Sequence, residues 1–493
     1  MADDSDKSQP KTLAVQCLAV LDRDEGRLER IDQYIRGKQD DPYMPAQADD
    51  EYRLLAKRAI SNWLPLLIDT PAQALYVDGF RPGRRGGDLP TDASLTSPEW
   101  EHWQRSRMDA RQAAVYRGPL GFGHAFVLTE KTKKGVISKG LSPKRTAALY
   151  EDPANDIDPK TVLTIDNYPS QDGKTPGRAR MWDGIAEYKV TFKSMTDEKS
   201  IRVFSPKRHG FSECPVTRFA AQVDLEGRTL GVVEPMIPIQ NRMNQTIFDL
   251  LVAQTYTSHT VRFVTGMAPP VQRELIDADG NVVTDPSLAV DSRIKLDAAG
   301  NPMPVPMNHS ARRFHFAEDP DVQFGSLPGG PLQPLIESAD MTLRHLSAIS
   351  QTPPHHLLGQ IANMSAEALQ AAETALSRKI AQFRASFGES WERVFRLAGE
   401  ANGDTASADD FSGEVLWRDM ESRSIAQAAD AYGKLAEQLG IPKKGLWKRV
   451  PGVTQNEYND WEEMAEEEDS QAKLANALTR ATPPSPSEGA PAA

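Results

Sequence analysis

Ser365-Ala-Glu-Ala-Leu369-Gln-Ala-Ala372-Glu-Thr-Ala-Leu376-Ser-Arg-Lys-Ile380-Ala-Gln-Phe383-Arg-Ala-Ser-Phe387-Gly-Glu-Ser-Trp391-Glu-Arg-Val394-Phe-Arg-Leu-Ala398-Gly-Glu400 is the longest periodic stretch of the chain. Its apolar stripe is Leu369, Ala372, Leu376, Ile380, Phe383, Phe387, Trp391, Val394 and Ala398, with steps of 3, 4, 4, 3, 4, 4, 3 and 4. That is an unbroken α-helical period. Ser365 is placed to cap the helix, and Glu367 lies near its positive end. At 1.5 Å per residue the segment spans about 54 Å. This exceeds the width of an ordinary domain, so the helix reads as a strut; a long core helix in a bundle is the other reading of the same period.

Immediately before the strut stands Gln351-Thr-Pro353-Pro354-His355-His356-Leu-Leu-Gly359-Gln360-Ile-Ala-Asn363. It cannot be helical throughout, because neither proline has an N–H, Thr352 is pushed out of the α region, and Gly359 loosens the chain again. Upstream, a helix is expected over 332–350 and another over 231–256, with Pro235 in its first turn. Between them, 257–331 reads as short strands broken by Gly and Pro, including Asn301-Pro-Met-Pro-Val-Pro306. Two helices therefore bracket a compact α+β insertion.

The first half reads as α+β. Residues 1–20 are polar and expected to be disordered. Helices are expected over 21–40, over 51–70 with a kink at Pro65, and over Trp100 to Tyr116. Alternating segments at His124–Thr129, Thr161–Tyr168, Ala186–Phe192 and Ile201–Phe204 read as strands of a mixed sheet. Past the strut, Gly413 to Asp419 is a strand candidate. Residues 421–440 and 455–479 read as helices joined through a loop at Ile441-Pro-Lys-Lys. Residues 455–469 carry eight carboxylates and no base, the pattern of a solvated face. Residues 481–493 are rich in Pro, Ser and Ala and read as a disordered tail.

Composition narrows the function classes. The 493 residues hold 57 Lys and Arg against 69 Asp and Glu, so 57 − 69 gives a net charge of −12. Such a chain is a poor sequence-specific DNA clamp, which must neutralise phosphates. Hydrophobic residues make up 39% and the mean hydropathy is −0.51. Both are low for a compact enzyme of this length and suit an elongated shape, or a surface covered by partner subunits. The cysteines, Cys17 and Cys214, form no pairing or zinc pattern. No apolar run approaches a membrane span, and the acidic start Met-Ala-Asp-Asp-Ser-Asp is no signal peptide.

Catalytic patterns fail one by one. Gly118-Pro-Leu-Gly121-Phe-Gly123-His-Ala-Phe126 puts Phe126 where a dinucleotide loop needs glycine, and reads as a tight turn feeding a strand. Gly210-Phe-Ser212-Glu-Cys214 lacks the last glycine of a nucleophile elbow. Asp277-Ala-Asp279-Gly280 has its glycine too early for a calcium loop and no closing glutamate; a hairpin turn through Asn281 fits better. His355 and His356 are adjacent, so on a regular element they point in different directions. Catalytic, metal and cofactor sites are therefore all expected to be absent.

Order carries more than any single motif: α+β half, helix, insertion, helix, Pro-rich loop, very long helix, strand, acidic helical end. This order resembles the portal proteins of tailed bacteriophages, rings at one vertex of the capsid. Gly231-Val-Val-Glu-Pro-Met-Ile-Pro-Ile-Gln-Asn-Arg-Met-Asn244 resembles the family's glycine-led start of a stem helix. Asn363-Met-Ser-Ala-Glu-Ala-Leu369 resembles the start of its long wing helix. Glu51 to Phe80 is similar to the N-terminal wing of portals from long-tailed actinobacterial phages.

The resemblance covers roughly residues 20–475. It implies a portal fold with wing at 21–230, stem helices at 231–256 and 332–350, clip at 257–331, and tunnel loop at 351–364. The long wing helix and wing strand would occupy 365–420, and the crown 421–480. The tunnel-loop residues facing DNA would be Gln351, Thr352, Pro353, Pro354, His355, His356, Gln360 and Asn363. It further implies a homo-oligomer, typically a dodecamer, serving as the channel for genome packaging and ejection, with no catalysis and no membrane. The implied partners are the terminase large subunit, a head-tail adaptor, major capsid and scaffold proteins, and double-stranded DNA held non-specifically. The implied location is the virion, with host cytoplasm during assembly. The rival readings are another head or connector structural protein, and a DNA-processing head enzyme, which would need the missing carboxylate cluster or P-loop.

Overall fold

The computed structural model of the protein describes residues 5–45, 50–83, 98–170, 172, 174–258, 262–265, 271–303, 321, 323–326, 330–359, 366–418, 425–447, 450, 453, 457, 458, 460–465, 467 and 468. The chain divides into two compact units, Met1–Ile247 with Ser338–Ala493, and Phe248–Glu337.

The first unit opens with α1, Ser5–Ile35, which corrects the expected disorder over residues 5–20; residues 1–4 lie outside the described residues. Ala14, Cys17, Leu18 and Leu21 are buried at helical spacing and pack on a sheet together with Leu163, Met181 and Phe192. The small Ala14 and Cys17 make this stripe faint among polar neighbours. Next come α2 (Asp50–Ala59), α3 (Leu64–Gln73) and β1 (Val77–Arg81). The expected single helix over 51–70 is two, because Pro65 lacks the N–H that would join them and instead sits in the first turn of α3. The helix expected over 100–116 is also two, α4 (Pro98–Arg105) and α5 (Met108–Phe122), parted at Arg107, whose φ is +55°. Asp109 in the first turn of α5 accepts from Trp103 Nε1 at 2.8 Å and fixes the corner.

Then follow β2 (His124–Thr132), β3 (Gly135–Leu141), β4 (Thr146–Leu149), β5 (Thr161–Asn167), β6 (Gly177–Trp182), β7 (Ala186–Phe192), β8 (Arg202–Arg208) and β9 (Val216–Ala220). They form two sheets, ordered β3-β2-β9 and β4-β5-β6-β7-β8. Every pairing in them is antiparallel, which corrects the expected mixed sheet. Short connections permit hairpins, whereas parallel pairs need long crossovers. Strand alternation gives the larger sheet two buried faces. Leu163 and Met181 meet α1, while Val162 and Trp182 meet Phe126, Cys214 and Val216. The two thiols thus lie in different clusters, and burial pushes Cys17 up to about 12 and raises Cys214 as well.

After a 3-10 turn at Glu234–Met236, α6 runs Ile237–Ser258, a later start than the expected Gly231. Gly231 instead passes against α5: a Cβ there would lie 2.5 Å from the Gly121 carbonyl oxygen. The second unit contains β10 (Arg262–Thr265), β11 (Arg273–Ile276), β12 (Val282–Val283), β13 (Asp291–Ile294) and β14 (Gln323–Ser326). β12-β11-β13 form one antiparallel sheet and β10 pairs with β14. The hairpin expected at 279–281 is present. Asp277 accepts the N–H groups of Asp279 and Asn281, with Gly280 at φ +84°. The same device recurs at Asp297, which accepts from Ala299 and Asn301, with Gly300 at φ +86°.

Back in the first unit lie α7 (Gln333–Ser350, whose first turn belongs to the second unit), α8 (Pro354–Leu358), α9 (Ala366–Asn402), α10 (Thr405–Ala408), β15 (Glu414–Trp417), α11 (Ile425–Leu439) and α12 (Lys443–Trp447). β15 pairs antiparallel with β1. Lys443 and Lys444, expected in a loop, open α12. The expected tail lies outside the described residues, as does most of 455–479. The core gathers on α9. Phe383, Phe387, Trp391, Val394 and Phe395 are each 0–1% exposed. Trp391 packs edge-on against Trp103 and Phe219, at 4.8 and 4.7 Å between centroids. It donates to the Tyr116 hydroxyl at 2.9 Å. On the same helix, Ser386 and Ser390 donate to the Ala220 and Arg218 carbonyls of edge strand β9, at 2.9 and 2.8 Å. Four helical residues rise about 6 Å and two strand residues about 6.8 Å, so the serines and alternate carbonyls stay in step. No helix among the described residues is long and apolar enough to cross a membrane.

Candidate functional site

The segment between α7 and α9 is built by two helix endings. Gln351 adopts φ +56°, the left-handed residue that closes α7. Beyond it the Thr352 N–H reaches the Ser347 carbonyl at 3.2 Å, the six-to-one bond of a Schellman ending. Ser347 Oγ then donates to the Thr352 carbonyl at 2.6 Å. This turns Thr352 inward, to 3% exposure, and Pro353 is buried beside it. The cap thus draws Thr352 and Pro353, two of the residues expected to face DNA, into the chain's own packing.

Pro353 and Pro354 start α8 where an open loop was expected, and Gly359, at φ +64°, ends it by donating to the His355 carbonyl at 3.0 Å. Leu357 anchors the turn in the core at 4% exposure. Gln351, Pro354 and His356 are exposed. Gln360 and Asn363 lie outside the described residues.

Two α9 side chains that sequence reasoning missed hold this segment. Lys379 Nζ donates to the Ser350 carbonyl at 2.8 Å, supplying a charge at the negative end of α7. Its half-burial, with the ammonium 5.9 Å from the Phe383 ring centroid, pulls its pKa down to about 8. Glu373 Oε1 lies 2.7 Å from His355 Nε2 and 2.9 Å from His356 Nε2. The imidazole centroids are 4.5 Å apart, with planes inclined by 34°. The expectation that adjacent histidines diverge thus fails here, because α8 is barely one turn long and both rings swing toward one carboxylate. The only sequence signal for Glu373 and Lys379 was their place beside the apolar stripe, next to Ala372 and Ile380.

The other motif candidates resolve as structure. Gly118 and Gly121 lie within α5, and Gly123, at φ +97°, ends it and feeds β2. Ser212 lies in the loop before β9, not at a strand-to-helix elbow, and its N–H donates to Glu400.

Comparison with known proteins defines the class. The family described as "Phage portal protein, SPP1 Gp6-like" matches residues 15–473, so the chain belongs to that family of phage portal proteins. It is similar to the portal protein of Mycobacterium phage D29, with 25% identity over 385 residues, covering 75% of this chain and 71% of the relative. It is also similar to the portal protein of Mycobacterium phage L5, with 30% identity over 120 residues, covering 24% of this chain and 25% of the relative.

Proposed function

We propose that the chain is one subunit of the ring at the portal vertex of a phage capsid, the passage through which the genome is packaged and ejected. The observation that carries this reading is the succession of α6, an inserted second unit, α7, the short turn α8 and the 37-residue α9, in a chain matched by the portal family over nearly its whole length. On this reading residues 21–230 with 365–420 form the wing. Residues 231–256 and 332–350 are the stem, 257–331 the clip that meets the terminase and then the head-tail adaptor, and 421–480 the crown. The ring is a dodecamer in the virion, assembled in the host cytoplasm with scaffold and major capsid protein. Its role is structural and needs no catalysis.

Double-stranded DNA passes with little adhesion, because subunits of net charge −12 surround it with like charge. In the tunnel loop, Gln351, Pro354, His356 and Gly359 are the described residues with the exposure to meet it. Electron microscopy of the purified full-length chain tests the reading. Rings with a central hole are expected; monomers or dimers alone, under scaffold-containing assembly conditions, would overturn it.

A further inference from the structure

We propose that His355, His356 and Glu373 bind one first-row divalent cation, with zinc the best match, and that the ion ties α8 to α9. The proposal stands on the side-chain cluster and does not rest on the portal reading.

The three ligand atoms lie within 4.8 Å of one another, and one carboxylate oxygen is 2.7 and 2.9 Å from the two Nε2 atoms. A tetrahedral zinc with bonds near 2.0–2.1 Å holds its ligand atoms about 3.4 Å apart. Each nitrogen–oxygen gap would therefore widen by roughly half an ångström, within the reach of small side-chain rotations. The donor set selects the ion. Two imidazoles and a carboxylate suit zinc, cobalt or nickel, whereas magnesium and calcium prefer oxygen ligands. Binding through Nε2 leaves the His355 ring proton on Nδ1, which is buried with no hydrogen-bond partner, so the ion's affinity is offset by the cost of that unpaired N–H. Three protein ligands leave a fourth position for water. The side chains of His356 and Glu373 are each 35% exposed, which gives the ion a way in.

The backbone is prepared on both sides. α8 is pinned by the Pro353–Pro354 start, the Leu357 anchor and the Gly359 ending. Glu373 rides on α9. The ligands are 17 and 18 residues apart, so a bound ion would join two elements that lie that far apart along the chain.

The test uses untagged full-length chain, stripped with a chelator. Zinc is titrated against a chromogenic competitor, and cobalt is read by its visible absorption. The expected result is one zinc per chain, cobalt bands of the intensity of a four- or five-coordinate site, and no competition by magnesium. His355→Ala, His356→Ala and Glu373→Gln should each weaken zinc binding by at least about tenfold. Zinc should raise the melting temperature of the native chain but not that of His356→Ala, whose exposed side chain makes it the variant least disturbed in folding. No zinc uptake by the native chain, or equal affinity in folded His356→Ala and Glu373→Gln, would overturn the proposal. Imaging of rings in the same samples reports separately on the portal reading.

Discussion

Gln351 shows how much one dihedral angle decides. A Cβ in the left-handed region costs on the order of 1–2 kcal/mol, and glycine adopts it freely while costing unfolded-state entropy. Gln351→Gly should therefore stabilise the protein by about 0.5–1 kcal/mol, read from the midpoint of urea unfolding, while Gln351→Ala should gain nothing. Lys379 makes a second prediction, in pH. Its proton leaves the folded chain near pH 8 and the unfolded chain near about 10.4. Between these values the unfolded state binds more protons, so the stability contribution rises with pH; below them the cost of burying the charge is fully present. Lys379→Met should flatten this rise, on the order of 2–3 kcal/mol across the window, when stability curves of the two proteins are subtracted. At this scale the histidine pair was legible in the sequence as a pair. Glu373 was not, because it meets them from another helix, 17 and 18 residues along the chain and past the Gly359 ending of α8, which no local pattern encodes.

At the level of elements, legibility followed how cleanly one face is buried. α9 was readable because Leu376, Ile380, Phe383, Phe387, Trp391 and Val394 repeat at steps of three and four, all buried but the half-buried Ile380. β9 was not, because Val216–Ala220 is buried at every position and includes Thr217 and Arg218, so it shows no alternation. β6 begins at a glycine and carries two arginines, which masks its paired register with β5 and β7. The serines of α9 explain how β9 tolerates being an edge: its outward carbonyls are met by a helix rather than left as a template for another strand. Each bond of this kind is worth about 1 kcal/mol, and more where a buried acceptor is stranded. Ser386→Ala with Ser390→Ala should cost about 2–3 kcal/mol in urea unfolding. Ser390→Ala should account for the larger share, since Ser390 is 3% exposed.

For the whole molecule, the sequence placed the insertion at 257–331, and the compact second unit runs from Phe248 to Glu337, taking in the helix ends on each side. The first unit keeps its own tie between α6 and α7, since Arg242 Nη2 lies 3.1 Å from His345 Nδ1 and Met243, Leu343 and Leu346 share one core. Deleting 257–331 and joining the helices by a short linker should leave the circular dichroism of the first unit intact. On the proposed reading it should also abolish capture of terminase in a pull-down, and undiminished capture would place the docking surface elsewhere. The two buried thiols carry a different consequence. Cys17 sits on the face of α1 that packs on the five-stranded sheet and Cys214 on the opposite face of that sheet, and both are chemically silent while covered. A thiol reagent can reach either only when its own layer opens. The native chain therefore contains two clocks, one timing the lifting of α1 and the other the parting of the strands, and their labelling rates report the order in which the protein comes apart without any engineered probe.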